Sequence, residues 1–131
     1  MIPNAMNLRD ALAYIAYKTG GTNPFRASRI LVLANWLAQE RLGRPLVRFK
    51  ITGFEAGFAV EGLKPILDDP CFERVEGRKE IRWRCEPPRV EHGEILDEAI
   101  QIASGLDDLS LNRLIIRDAR YRKLLEEGGF Q

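Results

Sequence analysis

Residues 24–41 read PFRASRILVLANWLAQER, and this stretch decides the fold. Asn23 followed by Pro24 is typical of a helix start, because a capping side chain precedes a proline at the first helical position. Apolar residues then recur at helical spacing, and Leu31 and Trp36 widen the apolar face beyond an ordinary surface stripe. A helix that is apolar on most sides is normally buried among its neighbours. We therefore predict a central helix here.

Shorter elements are predicted on both sides of the central helix. Residues 7–19, 94–104 and 110–126 each carry apolar residues three and four positions apart, so each is predicted to be a helix. Residues 46–51 alternate between polar and apolar side chains, as a half-buried strand does. Residues 58–67 place their apolar side chains on one helical face and are predicted to form a short helix.

Residues 71–85 are predicted to form an antiparallel β-hairpin. A three-residue loop at 77–79 would place Cys71 opposite Cys85. The inner face of the hairpin would then carry Cys71, Val75, Ile81, Trp83 and Cys85, and the other face Phe72, Arg74, Arg82 and Arg84. Together with the helices, this predicts an α+β fold. We expect a predominantly helical single domain over residues 1–131, with four to five helices and a short antiparallel β-hairpin or small sheet.

The two cysteines are expected to be neighbouring reduced thiols, because cytosolic thiols normally stay reduced. A disulfide is the alternative, and we expect it if the source is thermophilic. Arg outnumbers Lys fifteen to five, a bias compatible with such a source. Two cysteines and one histidine cannot complete the four ligands of a structural zinc site, so no metal is predicted.

The net charge of +1 gives no sign of the global positive field that non-specific nucleic-acid binding uses. No stretch approaches the length of an apolar membrane span. The N-terminal residues lack the basic-then-apolar plan of a signal peptide. We therefore expect a cytoplasmic protein without a membrane partner.

Patterns that would indicate catalysis are weak. His92 is the one histidine, and Glu91 and Glu94 flank it where a helix is predicted to begin, a position that favours acidic and capping residues. The adjacent acidic pairs lie beside predicted helix ends, where they serve capping and solvation. No glycine-rich phosphate loop is present. The sequence therefore predicts no enzyme and no cofactor.

Two groups of basic residues are candidate binding sites. The first lies in the predicted hairpin and comprises Arg74, Arg78, Lys79, Arg82 and Arg84. Winged helix-turn-helix proteins use such a hairpin to reach DNA phosphates, but the glutamates between these residues favour a salt-bridged, solvated ribbon. The second group is a stripe at helical spacing, formed by Arg113, Arg117 and Arg120. This stripe would meet an acidic partner or remain a solvated face.

Four short motifs resemble the Panacea domain, the SocA-like antitoxin family. Residues 28–36 (SRILVLANW) and 41–46 (RLGRPL) are similar to a helix core of that family and the loop after it. Residues 95–99 (ILDEA) and 109–114 (LSLNRL) are similar to a later pair of helix segments in content and spacing. The resemblance implies an antitoxin or adaptor that holds another protein, such as a toxin encoded nearby.

We therefore expect a non-catalytic protein-binding module that resembles a SocA-like antitoxin or adaptor. The alternative is a winged-helix-like DNA-binding regulator that uses the basic hairpin at residues 74–84. A small enzyme of unknown reaction comes third. The sequence leaves a homo-oligomer open.

Overall fold

The second helix lies at the centre of the fold. The computed structural model describes residues 6–77 and 79–131. Helix α2 (Pro24–Leu42) begins after Asn23, whose side chain accepts a hydrogen bond of 2.8 Å from the Arg26 amide. Nearly all of its middle turns are buried, and it packs against the helices before and after it. The predicted central helix is confirmed.

The first and fourth helices also follow the prediction. Helix α1 (Leu8–Thr19) packs on α2, and so does α4 (Gly93–Ser104). The prediction of a single helix at 110–126 is wrong, because this segment forms two helices, α5 (Asp108–Ile116) and α6 (Ala119–Glu127). The break lies at Asp118, whose backbone is extended and whose side chain accepts from the Arg120 amide at 2.9 Å. This capping residue starts a new helix, so the described residues form six helices, more than the four to five expected, and the predicted predominantly helical α+β fold is confirmed.

The main sheet contains more strands than expected. The predicted strand 46–51 is shifted, because β1 spans Phe49–Phe54, and it is the middle strand of the order β2-β1-β5. Both β2 (Gly57–Val60) and β5 (Gly129–Phe130) pair antiparallel with it. A helix over 58–67 is therefore wrong in its first part, and only α3 (Leu63–Ile66) is helical. A short apolar run suits a strand or a helix equally, and here pairing with β1 decides.

A buried side chain fixes the approach to β1. Asn35 in α2 is fully buried, and its amide nitrogen donates to the Val47 carbonyl at 2.7 Å. The Val47 amide donates back to the Asn35 side-chain oxygen at 2.8 Å. The Asn35 side chain thus pairs with Val47 as a neighbouring strand would. Met6 forms a parallel β-bridge with the same residue, Val47.

The predicted hairpin exists, but its register differs by one residue. Strands β3 (Phe72–Val75) and β4 (Glu80–Trp83) pair with Phe72 opposite Trp83, and four residues connect them instead of three. A slip of one residue turns each side chain of a strand to the other face. The ring centroids of Phe72 and Trp83 therefore lie 5.0 Å apart, and the predicted inner face with Cys71 and Val75 is wrong.

The two cysteines are joined. A disulfide links Cys71 and Cys85 across the open end of the hairpin, with their Cα atoms 5.3 Å apart. The expectation of two reduced thiols is wrong, and the alternative of a bridge holds. The outer edge of β4 is also fixed, since the amide and the carbonyl of Ile81 both form hydrogen bonds with the backbone of Thr22. The hairpin is therefore anchored at its base and along β4.

Replacing a fully buried residue of α2 tests its central position. We expect Leu31→Ala to lower the free energy of unfolding by about 2–5 kcal/mol, because it leaves a cavity in the core. The control is Leu109→Ala at a 57% exposed site, where a change within about 0.5 kcal/mol is expected. Urea unfolding measures both. Equal losses in the two variants would contradict the burial of this helix.

Removing the cross-link tests the disulfide. We expect the double variant Cys71→Ser and Cys85→Ser to lose about 3 kcal/mol of unfolding free energy, as for a closed loop of this size. Chemical reduction of the wild type should produce a comparable loss and leave the double variant unchanged. A wild type that labels at both thiols before reduction would show that the bridge is absent in solution.

Candidate functional site

An open groove of about 650 Å³ lies where the start of α2 meets β2, α3 and the β3–β4 hairpin. Its walls are mainly apolar, with contributions from Phe25, Phe58, Val60, Leu63, Leu67 and Ile81. Of the described residues that line it, four are basic, namely Arg29, Lys64, Arg74 and Lys79, and one is acidic, Glu80. The groove is therefore an apolar site with an excess of positive charge.

The centre of this site is Arg29, which is only 2% exposed. Its guanidinium carbon lies 3.9 Å from the centroid of the Phe25 ring and 4.1 Å from that of Phe58. Phe25 and Arg29 are one helical turn apart, so α2 places them on the same face. The two rings hold the cation by cation–π attraction from both sides.

Neutral oxygens accept the hydrogen bonds of Arg29. Nε and Nη2 donate to the Asn112 side-chain oxygen at 3.1 and 2.8 Å. Nη1 donates to the Ser28 hydroxyl and to the Phe58 carbonyl, both at 2.8 Å. Asn112 is itself held by its Nδ2 donating to the Ala56 carbonyl at 3.0 Å. The guanidinium therefore joins α2, β2 and α5.

Within the described part of the chain, no carboxylate lies within 4.0 Å of the Arg29 guanidinium. Burial lowers the pKa of Arg29 to about 10, so the side chain still carries its charge at neutral pH. A buried charge is normally paired with an opposite charge or bound to a metal. The direct partners of the Arg29 charge are thus neutral dipoles and aromatic rings, and the Asp108 carboxylate, which lies beyond 4.0 Å, adds a weaker attraction that opposes the lowering of its pKa.

Most basic residues of the predicted hairpin site pair with nearby acids. Arg82 lies 3.0 Å from Glu80 and Arg84 lies 3.0 Å from Glu73. Arg74 lies 3.8 Å from Asp68, while Arg78 falls outside the described residues. This is the salt-bridged ribbon that the interleaved glutamates favour. Arg74 and Lys79 reach the groove, and Arg82 and Arg84 do not line it.

The predicted arginine stripe is divided by the break between α5 and α6. Arg113 and Arg117 are exposed at the end of α5, whereas Arg120 belongs to α6. Arg120 stacks on Trp36 at 4.4 Å and pairs with Asp118 at 2.8 Å. Arg117 lines a second depression of about 870 Å³, whose lining contains both basic and acidic side chains. The structure does not bring the three arginines together on one helix.

Residues suited to other chemistry are dispersed. Among the described residues, no group of three or more His, Cys, Asp and Glu is placed to hold a metal ion. His92 occupies the N-cap position of α4, with Nδ1 3.6 Å from a Glu94 carboxylate oxygen. No helix in the described ranges is long and apolar enough to cross a membrane.

Two residues of the groove escaped sequence analysis. Arg29 lies inside the apolar run of α2, whose pattern predicts only a buried core. Lys64 lies in the segment 58–67, where the predicted helix begins earlier than α3 does. The available signal was the pair Ser28 and Arg29 within a helix that is otherwise apolar on most sides. A charged residue in such a helix must find partners inside the protein.

Comparisons with protein-family models, with curated proteins and with solved structures found no match to this chain. The resemblance to the Panacea domain therefore stays a prediction.

Replacing Arg29 tests whether its cation is built into the core. We expect Arg29→Met to lower the free energy of unfolding by about 2–4 kcal/mol, because it leaves the Phe58 carbonyl and the Asn112 oxygen without a donor. The same change at the exposed Arg113 is the control and should stay within about 0.5 kcal/mol. An Arg29→Met protein as stable as the wild type would contradict the sandwich geometry.

Proposed function

We propose that this chain is a non-catalytic protein-binding module, and that the groove beside Arg29 is where it holds its partner. The occupant is a segment of another protein that carries both apolar and acidic side chains. The observation that supports this most is the buried charge of Arg29, which has aromatic and neutral partners but, among the described residues, no carboxylate within 4.0 Å.

The chemistry of the groove fits such a segment in two ways. Apolar side chains of the partner would cover Leu63 and Ile81, and each buried methylene contributes about 0.8 kcal/mol. Acidic side chains would meet Lys64 and Lys79, both exposed at the groove. The field of Arg29 adds to these contacts, because a charge beside apolar walls is weakly screened.

A DNA-binding regulator has less support. DNA recognition needs basic side chains that are available to phosphates, and Arg82 and Arg84 of the hairpin are paired with glutamates. The hairpin packs on α1, whereas α6 packs on β1 and β5. The basic residues of the hairpin and those of the last helix therefore belong to elements that pack on different parts of the fold. The third alternative, a small enzyme, has no specific observation in its favour.

The resemblance to SocA-like antitoxins suggests which partner to test first. The first partner to test is the protein encoded by the neighbouring gene, because in that family the neighbouring gene encodes a toxin. The cytoplasmic location stays a prediction. Disulfides are rare in the cytosol outside hyperthermophiles, so the Cys71–Cys85 bridge is compatible with that location only if the source is thermophilic.

Binding of an acidic peptide tests the groove directly. The probe is a short, end-capped, fluorescein-labelled peptide in which valine and aspartate alternate, followed by fluorescence anisotropy. We expect Lys64→Glu to weaken binding about tenfold, equivalent to about 1.4 kcal/mol, because it reverses a charge at the groove. Lys50→Glu makes the same change at an exposed site on β1 and should leave the affinity within about twofold.

Three further measurements complete this experiment. Asn112→Asp should also weaken binding, because it places a carboxylate on Arg29 and satisfies the charge internally. A peptide in which lysine replaces aspartate should bind more weakly than the acidic one. Equal affinities of the acidic and basic peptides would overturn the proposal. Tight, sequence-selective binding of duplex DNA at physiological salt would favour the regulator instead.

A further inference from the structure

One wall of the groove is the edge of a sheet. Strand β2 lies at the end of the order β2-β1-β5, so its second edge has no strand partner among the described residues. Phe58, Ala59 and Val60 all line the groove. Successive side chains of a strand point to opposite faces. Three consecutive residues can therefore line one groove only if the edge of the strand borders it.

The hydrogen-bond pattern shows which groups of β2 point into the groove. The Glu61 amide donates to the Lys50 carbonyl at 2.9 Å, so residues 50 and 61 form a hydrogen-bonded pair. Such pairs alternate along an antiparallel ladder. In the register Ile51↔Val60, the peptide groups of Gly57 and Ala59 then face β1, and those of Phe58 and Val60 face outward.

Two other contacts agree with this assignment. The Ile51 amide points away from β2, since it donates to the Gly128 carbonyl at 2.9 Å. The Phe58 carbonyl points outward, since it accepts from Arg29 Nη1 at 2.8 Å. Among the described residues, nothing accepts a hydrogen bond from the outward Val60 amide. Unpaired edge groups of this kind are a template for another strand.

The opposite wall of the groove offers no such edge. Strand β4 pairs with β3 on one side, and on the other side Ile81 exchanges hydrogen bonds of 2.9 and 2.6 Å with Thr22. A strand entering the groove can thus form a ladder only with β2. The free part of the β2 edge ends at Phe58, because the Phe58 carbonyl already accepts a hydrogen bond from Arg29.

We infer that the partner segment binds as an added strand on the free edge of β2, and this inference rests on the proposed function. An added strand continues the alternation of β2, in which Phe58 and Val60 are buried and Ala59 is exposed. Every second residue of the partner then faces the apolar walls, and the residues between face solvent and the exposed ends of Lys64 and Lys79. The sheet-bound partner is an extended segment with alternating apolar and acidic residues, recognised by its backbone as well as its side chains.

Methylation of backbone nitrogens in the probe tests this ladder without altering the protein. The valine–aspartate peptide is prepared in versions that each carry one N-methylated residue. We expect a loss of about tenfold or more at the residue whose amide faces the Val60 carbonyl and small changes at the residues on either side of it, because alternate amides face β2 and Arg29 already occupies the Phe58 carbonyl. The complementary readout is amide hydrogen exchange, in which binding should slow exchange at Val60.

Each outcome of this experiment decides one point. A loss at one residue with small changes at both of its neighbours, together with slower exchange at Val60, supports strand addition. Binding that is independent of which nitrogen is methylated, or that leaves exchange at Val60 unchanged, overturns strand addition and leaves the protein-binding groove intact. If neither the acidic peptide nor the product of the neighbouring gene binds, the proposed function fails, and the inference fails with it.

Discussion

The positive charge of Arg29 is the constraint on which the groove and the docking of α2, β2 and α5 depend. Its guanidinium is stacked between two rings and bonded to oxygens from α2, β2 and α5. A buried cation cannot leave this position without losing several charge-assisted hydrogen bonds. Three elements that are distant in the sequence must therefore dock together before the side chain is satisfied. The core and the candidate site therefore depend on the same contacts.

The elements that the sequence predicted well depend on local signals. Asn23 caps α2 as its position before Pro24 indicates, and the apolar spacing located α1 and α4. The errors lie where pairing between distant residues decides the structure. Residues 58–60 became a strand because β1 was available, and the hairpin register depended on the length of its connection. Local periodicity contains no information on either point.

The site was harder to predict than the fold, for an electrostatic reason. Exposed arginines such as Arg82 and Arg120 are visible as clusters, yet local carboxylates pair with them in the folded chain. In the sequence, Arg29 is a single charged residue within the apolar run of α2, and the run predicts a core helix with or without it. What gives it significance is that no carboxylate of the described residues lies within 4.0 Å of it, a property of the assembled structure. A list of charged residues cannot show which charges are compensated.

The pairing of Asn35 with Val47 has a consequence for accuracy in folding. A strand that shifts by one residue usually exchanges one set of backbone partners for another of equal strength, so sheets alone discriminate weakly between alignments. Here a side chain from a helix offers one donor and one acceptor, at a fixed height, to a single peptide unit. A misaligned chain would present a neighbouring residue whose peptide groups point the other way, and would leave a buried amide unsatisfied at about 1–3 kcal/mol for each group. The side chain of Asn35 in α2 therefore fixes the alignment of the chain that leads into β1, and with it the position of the sheet against the helix.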